Sequence, residues 1–204
     1  MFSIFFKQSK LILTWGIILG LAALAVSLFL PRYYSADSQV LIISRDRNGV
    51  DPYTQVKSAE RISENLIQVV KTTDFYGKVM ESVLPFNHDR WIKLSDRDAR
   101  KQWQKDVDAN VVYNTGLMNI RVYSTTKDDA TALSAAVTDA VVSRGWEYVG
   151  GDVALKAVNS PLVSRFPSRP NYALNFLGGF IIGLLFACFW VVRSARAVGY
   201  GKNI

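Results

Sequence analysis

The sequence predicts an α/β fold, a mixed α/β domain carried between two membrane-spanning helices. Three observations predict it. Residues 11–30 and 172–192 are apolar runs without a single charge. All 17 acidic residues lie between those runs. The segment between them alternates β-branched stretches with stretches of helical period. Composition agrees: 50% of the 204 residues are hydrophobic and 20% charged, and the mean hydropathy is +0.12. Five Trp, nine Tyr and eleven Phe exclude a disordered chain. One cysteine, Cys188, excludes a disulfide framework, a cysteine-built zinc site and an iron–sulfur cluster. One histidine, His88, excludes a His-rich metal cage. No metal, cofactor or catalytic residue is therefore expected.

A bilayer core about 30 Å thick takes roughly 20 helical residues, and both apolar runs are long enough. A secretory signal has a shorter apolar region, and Tyr34-Ser35-Ala36 is a poor cleavage site, so the first run reads as an uncleaved anchor. Lys7 and Lys10 precede it, and Arg193, Arg196 and Lys202 follow the second run, with no acid near either group. Basic, acid-free flanks stay on the cytoplasmic side. The organisation expected is a cytoplasmic tail (1–10), a first transmembrane helix (11–30), an extracytoplasmic α/β domain (31–160), a proline-rich linker (161–171), a second transmembrane helix (172–192) and a cytoplasmic tail (193–204). Membrane lipid is the expected surrounding of the two helices. The sequence pI near 9.5 then reflects topology, and no nucleic acid is expected, since no basic stripe with interleaved aromatics occurs.

Within the middle segment, residues 38–44 read as a strand. Residues 45–52 are polar, with Asn48-Gly49 and Pro52 as turn signals. Ala59, Ile62, Leu66, Val69 and Val70 give residues 55–72 a helical period. Asp74 is placed to cap a second helix that ends near Leu84, before Pro85. Ser95 opens a third, highly charged helix to about Asp106. Residues 109–113 and 117–123 flank Asn114-Thr115-Gly116 as a hairpin. Thr126 opens a helix that carries Leu133, Val137 and Val141 on one face and fades at Gly150-Gly151. Residues 153–158 form a last strand before Pro161. The predicted order is β-α-α-α-β-β-α-β.

Residues 160–170 hold three of the six prolines, Pro161, Pro167 and Pro170. Proline fixes φ and donates no backbone hydrogen bond, so an extended, stiff spacer is expected. A glycine-rich helix follows, Gly178-Gly179-Phe180-Ile181-Ile182-Gly183. With the aromatic-small opening Tyr33-Tyr34-Ser35-Ala36, this layout resembles the Wzz-type chain-length determinants, the polysaccharide co-polymerases. The resemblance spans nearly the whole chain and is most specific at the proline run and the helix after it. It implies a non-enzymatic membrane regulator of polysaccharide (O-antigen, capsule or exopolysaccharide) chain length, polymerisation or export in the bacterial plasma (inner) membrane. It also implies a homo-oligomeric scaffold whose partners are a polysaccharide polymerase and, in some systems, a separate cytoplasmic tyrosine kinase. Two departures mark the short adaptor form. No heptad run for a coiled-coil arm occurs, and the residues after Val192 hold no G-x-x-x-x-G-K-[ST] loop for ATP.

Other motifs admit plainer readings. Gly16-x-x-x-Gly20 and Gly179-x-x-x-Gly183 place small residues one turn apart, which lets helix backbones approach within or between protomers. Asn175 reads as an interfacial polar residue, with a hydrogen bond to a neighbouring helix as the alternative. His88 reads as a surface histidine, and Asp128-Asp129 as first-turn acids that favour the helix dipole. Asp96, Arg97, Asp98, Arg100, Lys101 and Lys105 read as a solvated or intersubunit face. Arg45, Arg47, Trp91 and Trp103 are sugar-contact candidates that sequence does not bring together. An enzyme with paired carboxylates finds no recognisable frame here. The alternative function is an extracytoplasmic sensor or adaptor signalling through a cytoplasmic partner such as a tyrosine kinase.

Overall fold

A computed structural model describes residues 8–44, 51–82, 84–150 and 153–200, the last six of these without their side chains. Lys7, Lys202, Gly151, Val83 and the polar loop with Arg45, Arg47 and Asn48-Gly49 lie outside the described residues, as does the Arg196 side chain. The chain divides into two compact units: residues 1–32 with 169–204, and residues 33–168.

The first unit is a pair of packed helices, α1 (Ser9–Leu28) and α8 (Tyr172–Tyr200). Asn171 starts α8 by accepting the Leu174 backbone N–H on Oδ1 at 3.1 Å. The helix runs past the predicted end at residue 192, because nothing in the sequence before Gly199 breaks it.

In the second unit, β1 (Tyr34–Ser44), β2 (Val107–Val112), β3 (Leu117–Ser124) and β4 (Val153–Val163) form one antiparallel sheet in the order β2-β3-β1-β4. The helices are α2 (Pro52–Val70), α3 (Thr73–Met80), α4 (Asp89–Ile92), α5 (Asp96–Asp106), α6 (Lys127–Arg144) and α7 (Trp146–Val149). The mixed α/β class and the order of the long elements are as the sequence predicts. The short helix α4 was not predicted, since four residues carry too little periodicity to show; α7 falls in the stretch read as the end of the Thr126 helix, which instead stops at Arg144, before Gly145.

Strand alternation sets the layers. Ala36, Ser38, Val40 and Ile42 of β1 and Met118, Ile120 and Val122 of β3 are buried on one face, as period-2 geometry requires. That face meets α2 and α6, which bring Leu66, Val70, Leu133, Ala136, Val137 and Val141 into the core. Three buried hydroxyls register α6 on β1: Ser38 Oγ lies 2.6 Å from Thr138 Oγ1, and Ser134 Oγ donates to Ser38 Oγ at 3.1 Å.

Helix caps are in place at three starts. Thr72, Ser95 and Thr126 accept the N–H of Phe75, Asp98 and Asp129. The predicted cap at Asp74 is thus corrected: Thr72 has the extended backbone a cap needs, and Asp74 sits in the first turn. That helix also stops at Met80, short of Leu84. In the hairpin, Asn114 (φ 63°) and Gly116 (φ 67°) take left-handed backbone, the conformation that tight turns ask of Asn and Gly.

β4 runs five residues beyond its predicted end and takes in Pro161. The predicted boundary at Pro161 rests on proline breaking a ladder. Here β4 is an edge strand, and its register against β1 shifts between Asp37/Leu162 and Gln39/Asn159, where Ser160 and Pro161 stand opposite Ser38 alone. A bulge on an edge strand is where a proline fits a sheet.

Candidate functional site

Glycine allows α1 and α8 to approach backbone to backbone. A Cβ added at Gly183 would lie 2.6 Å from the Trp15 carbonyl oxygen and 2.8 Å from Gly16 Cα; at Gly179 it would lie 2.6 Å from Ala23 Cβ and 2.7 Å from the Leu19 carbonyl oxygen. At Gly16 it would meet Leu184 and Phe180, and at Gly20, Phe176. All four distances fall below ordinary van der Waals separation, so the two G-x-x-x-G motifs face each other across one helix pair. Gly178 stands apart, with nothing within 4 Å of its Cβ position. Asn175 Nδ2 donates to Ser27 Oγ at 2.8 Å, and Ser27 is buried. Asn175 is therefore a helix-to-helix hydrogen bond, where the sequence suggested an interfacial residue. Its partner, 148 positions away, leaves no local signal.

Away from this seam the pair is apolar outward. Leu13, Ile18, Leu21, Val26, Ile182, Leu185, Phe189 and Trp190 are exposed, and only 17% of either apolar stretch is buried. A core helix of a soluble protein buries such side chains.

The proline run is more tied than a plain spacer. Pro161 lies within β4, in its bulge opposite Ser38. Beyond it, the Ser164 N–H donates to the Ser35 carbonyl and the Ser168 N–H to the Tyr33 carbonyl, both at 2.7 Å. Ser35 Oγ lies 2.7 Å from Ser168 Oγ, and the Ser35 N–H donates to Ser164 Oγ at 3.1 Å. Residues 164–168, with Pro167 among them, thus run as a strap along the start of β1. Pro170 lies in the helical unit.

Two sugar-contact candidates are corrected. Trp91 is 2% and Trp103 0% exposed. They pack edge-to-face with ring centroids 6.0 Å apart, and Trp103 Nε1 donates to the Val70 carbonyl at 2.8 Å. Aromatics this large fill the core and offer no face to a ligand. Beside them Arg90 donates to Asp106 Oδ1 at 3.0 Å and to the Tyr123 carbonyl at 3.2 Å. Gln102 also donates to the Asp106 carboxylate at 3.0 and 3.1 Å. Asp106 is buried, and three donor contacts offset the loss of its hydration. His88 is half-buried rather than on the surface, its ring tilted against Phe86 with centroids 4.1 Å apart. Asp128 and Asp129 occupy the first turn of α6.

A second polar cluster pins α7 to α3. Lys78 pairs with Glu147, lies 3.8 Å from Asp74 and stacks over the Tyr148 ring at 4.4 Å. The Tyr148 hydroxyl donates to Asp74. Hydrogen bonds to Glu147 and Tyr148 push the Lys78 ammonium above its usual range. Burial, then the bond to Asp74, raises the Tyr148 phenol.

The sheet face turned away from the helices carries a row of amides. Gln39 Nε2 donates to Asn119 Oδ1 at 2.8 Å, and Asn159 Nδ2 donates to Gln39 Oε1 at 2.7 Å. Asn110 stands opposite Asn119 in the next strand. In the neighbouring row Arg121 grips Asp37 through Nε at 2.5 Å and Nη2 at 3.2 Å; that hydrogen bonding raises the guanidinium further above its usual range. Sequence reading missed this row: Gln39, Asn110 and Asn119 lie in predicted strands, but Asn159 falls just past the predicted end of β4, and pairing across strands leaves no local signal. Among the described residues no cluster of His, Cys, Asp and Glu is arranged to hold a metal.

The family comparison falls on the N-terminal part. Residues 1–83 match the family model Wzz, chain length determinant protein. This span covers α1, β1, α2 and α3, and it is the family that the proline run, the glycine-rich helix and the opening residues bring to mind. No curated protein matches the chain.

Proposed function

We propose that this chain is a membrane-anchored regulator of polysaccharide chain length, acting as an oligomeric scaffold beside a separate polymerase. The Wzz match over residues 1–83 carries the reading. The apolar outer surface of the α1–α8 pair supports a place in the bacterial inner membrane, because lipid satisfies it where water does not. The acid-free basic flanks support cytoplasmic termini and an extracytoplasmic α/β unit.

The test is deletion and complementation in the producing cell, with surface polysaccharide profiled on a gel. Deletion is expected to shift the modal chain length or the amount of polymer, and the wild-type chain to restore it. A profile indifferent to the deletion removes the reading. In the same strain, Pro167→Ala with Pro170→Ala adds chain freedom where two prolines now limit it. A shifted profile at matched expression is expected, and a wild-type profile returns the segment to a simple connection.

A further inference from the structure

The open face of the sheet has a composition that strand formation does not explain. Asn and Asp are depleted in strands, and Val, Ile or Thr would suit an exposed pleated surface better. Yet amides occupy one cross-sheet row in all four strands, as Asn110, Asn119, Gln39 and Asn159. The row lines a shallow basin of about 270 Å3 together with Asp37 and Arg121. Isolated Asn or Gln residues on a sheet need no explanation; four in register do.

The hydrogen-bond ledger of the row is open. The links from Asn159 to Gln39 and from Gln39 to Asn119 hold three amides in fixed orientation. They leave the Asn119 NH2 group and the Asn159 carbonyl oxygen available. Asn110 makes no side-chain hydrogen bond among the described residues. Each amide has two donors and an acceptor with two lone pairs, so unused donors and acceptors alternate along the row. Among the charges beside it, Asp37 and Arg121 neutralise each other in a two-bond pair, and Asp108, opposite Arg121, pairs with Lys71 at 3.3 Å. The row itself carries no charge. It suits a ligand that both donates and accepts at short intervals, which is the chemistry of adjacent hydroxyls. Strands lie about 4.8 Å apart, comparable to the span of one sugar ring, so successive amides can meet successive residues of a chain laid across the strands.

We propose that this face binds a polyhydroxylated glycan segment, with the Asn110–Asn119–Gln39–Asn159 row as its hydrogen-bonding track. The proposal rests on the polysaccharide reading above and gives that function a site of direct contact. Pre-aligned side chains lose little entropy on binding. The binding is therefore shallow and repeated along a polymer rather than tight at one point.

The experiment uses the full chain in lipid nanodiscs and oligosaccharides cut from the producing cell's own surface polymer. Binding is read by saturation-transfer NMR and by titration. The variant is Gln39→Thr with Asn119→Thr and Asn159→Thr, which keeps a polar surface and improves strand propensity. Wild type should bind, and the variant should bind at least about tenfold more weakly. Its thermal transition and oligomer size should be unchanged. No binding by the wild type, or binding by the variant within about twofold of wild type, overturns the proposal. Loss of the oligomer in the variant also overturns it, because a second copy of the chain would then occupy the face. These failures leave the chain-length reading standing, since deletion tests that separately.

Discussion

At the scale of single residues, small side chains decide where backbones meet. The two G-x-x-x-G motifs are plain in the sequence, but spacing cannot say whether their partner is the other helix of the same chain or a neighbour. The structure pairs them with each other: a Cβ at Gly183 would press on the Trp15 carbonyl and on Gly16. Gly183→Leu should lower the SDS midpoint for separating α1 and α8 in nanodiscs, an overpacking cost of about 1–3 kcal/mol. Gly178→Leu, three-dimensionally unobstructed within this chain, should leave that midpoint in place. Equal losses at both positions would refute the pairing. Trp91 and Trp103 show the opposite limit of sequence. A tryptophan beside charged residues looks the same whether it stacks on a ligand or fills a core, and here both are buried. Arg90 and Asp106 were illegible as a pair, because contact between residues sixteen apart depends on how α4 meets α5.

At the scale of elements, the long helices and strands were legible because each has its own period and its own punctuation. Ser95 and Thr126 stand where caps belong, and Asn114 with Gly116 marks the hairpin. Gly116 does more than turn the chain. Its carbonyl accepts the Ile42 N–H at 3.0 Å, and an added Cβ would lie 3.0 Å from the Ile42 carbonyl oxygen. Gly116→Ala should therefore destabilise the α/β unit by about 1–2 kcal/mol, from the left-handed backbone alone, with the close approach to β1 adding to it. A thermal melt checks this, and an unchanged midpoint would contradict it. Pro161 was misjudged because proline's rule changes at a bulged edge, and edge position is a property of the sheet rather than of the segment.

The small helix α7 makes an element-scale prediction of its own. Lys78 and Tyr148 both hold their protons more tightly folded than their ordinary values of 10.5 and 10.0. A group with a raised folded pKa stabilises fully below its unfolded pKa, and that stability fades as pH rises through the folded value. Thermal stability should thus hold up to about pH 10 and fall above it. Tyr148→Phe with Lys78→Met should make the fall shallower. A variant curve parallel to wild type across that range would show that the α3–α7 cluster does not contribute it.

At the scale of the whole molecule, charge distribution carries the argument that no local pattern can. The 17 acids are confined between two apolar helices, while Lys7, Lys10, Arg193, Arg196 and Lys202 flank them without an acid nearby. Short basic flanks resist translocation, whereas a long segment crosses regardless of its charge. The proposed topology holds both flanks inside and so puts the α/β unit outside, where the proposed amide row would meet a surface polymer. In a Cys188→Ala background, a cysteine at Ser3 or Asn203 should resist an impermeant thiol reagent in intact cells and react once the membrane is opened. A cysteine at Tyr113, 67% exposed on the β2–β3 hairpin, should react without opening. Labelling at either end of intact cells would put a flank outside. It would then break the link between the basic flanks, the two helices and an extracytoplasmic site of action.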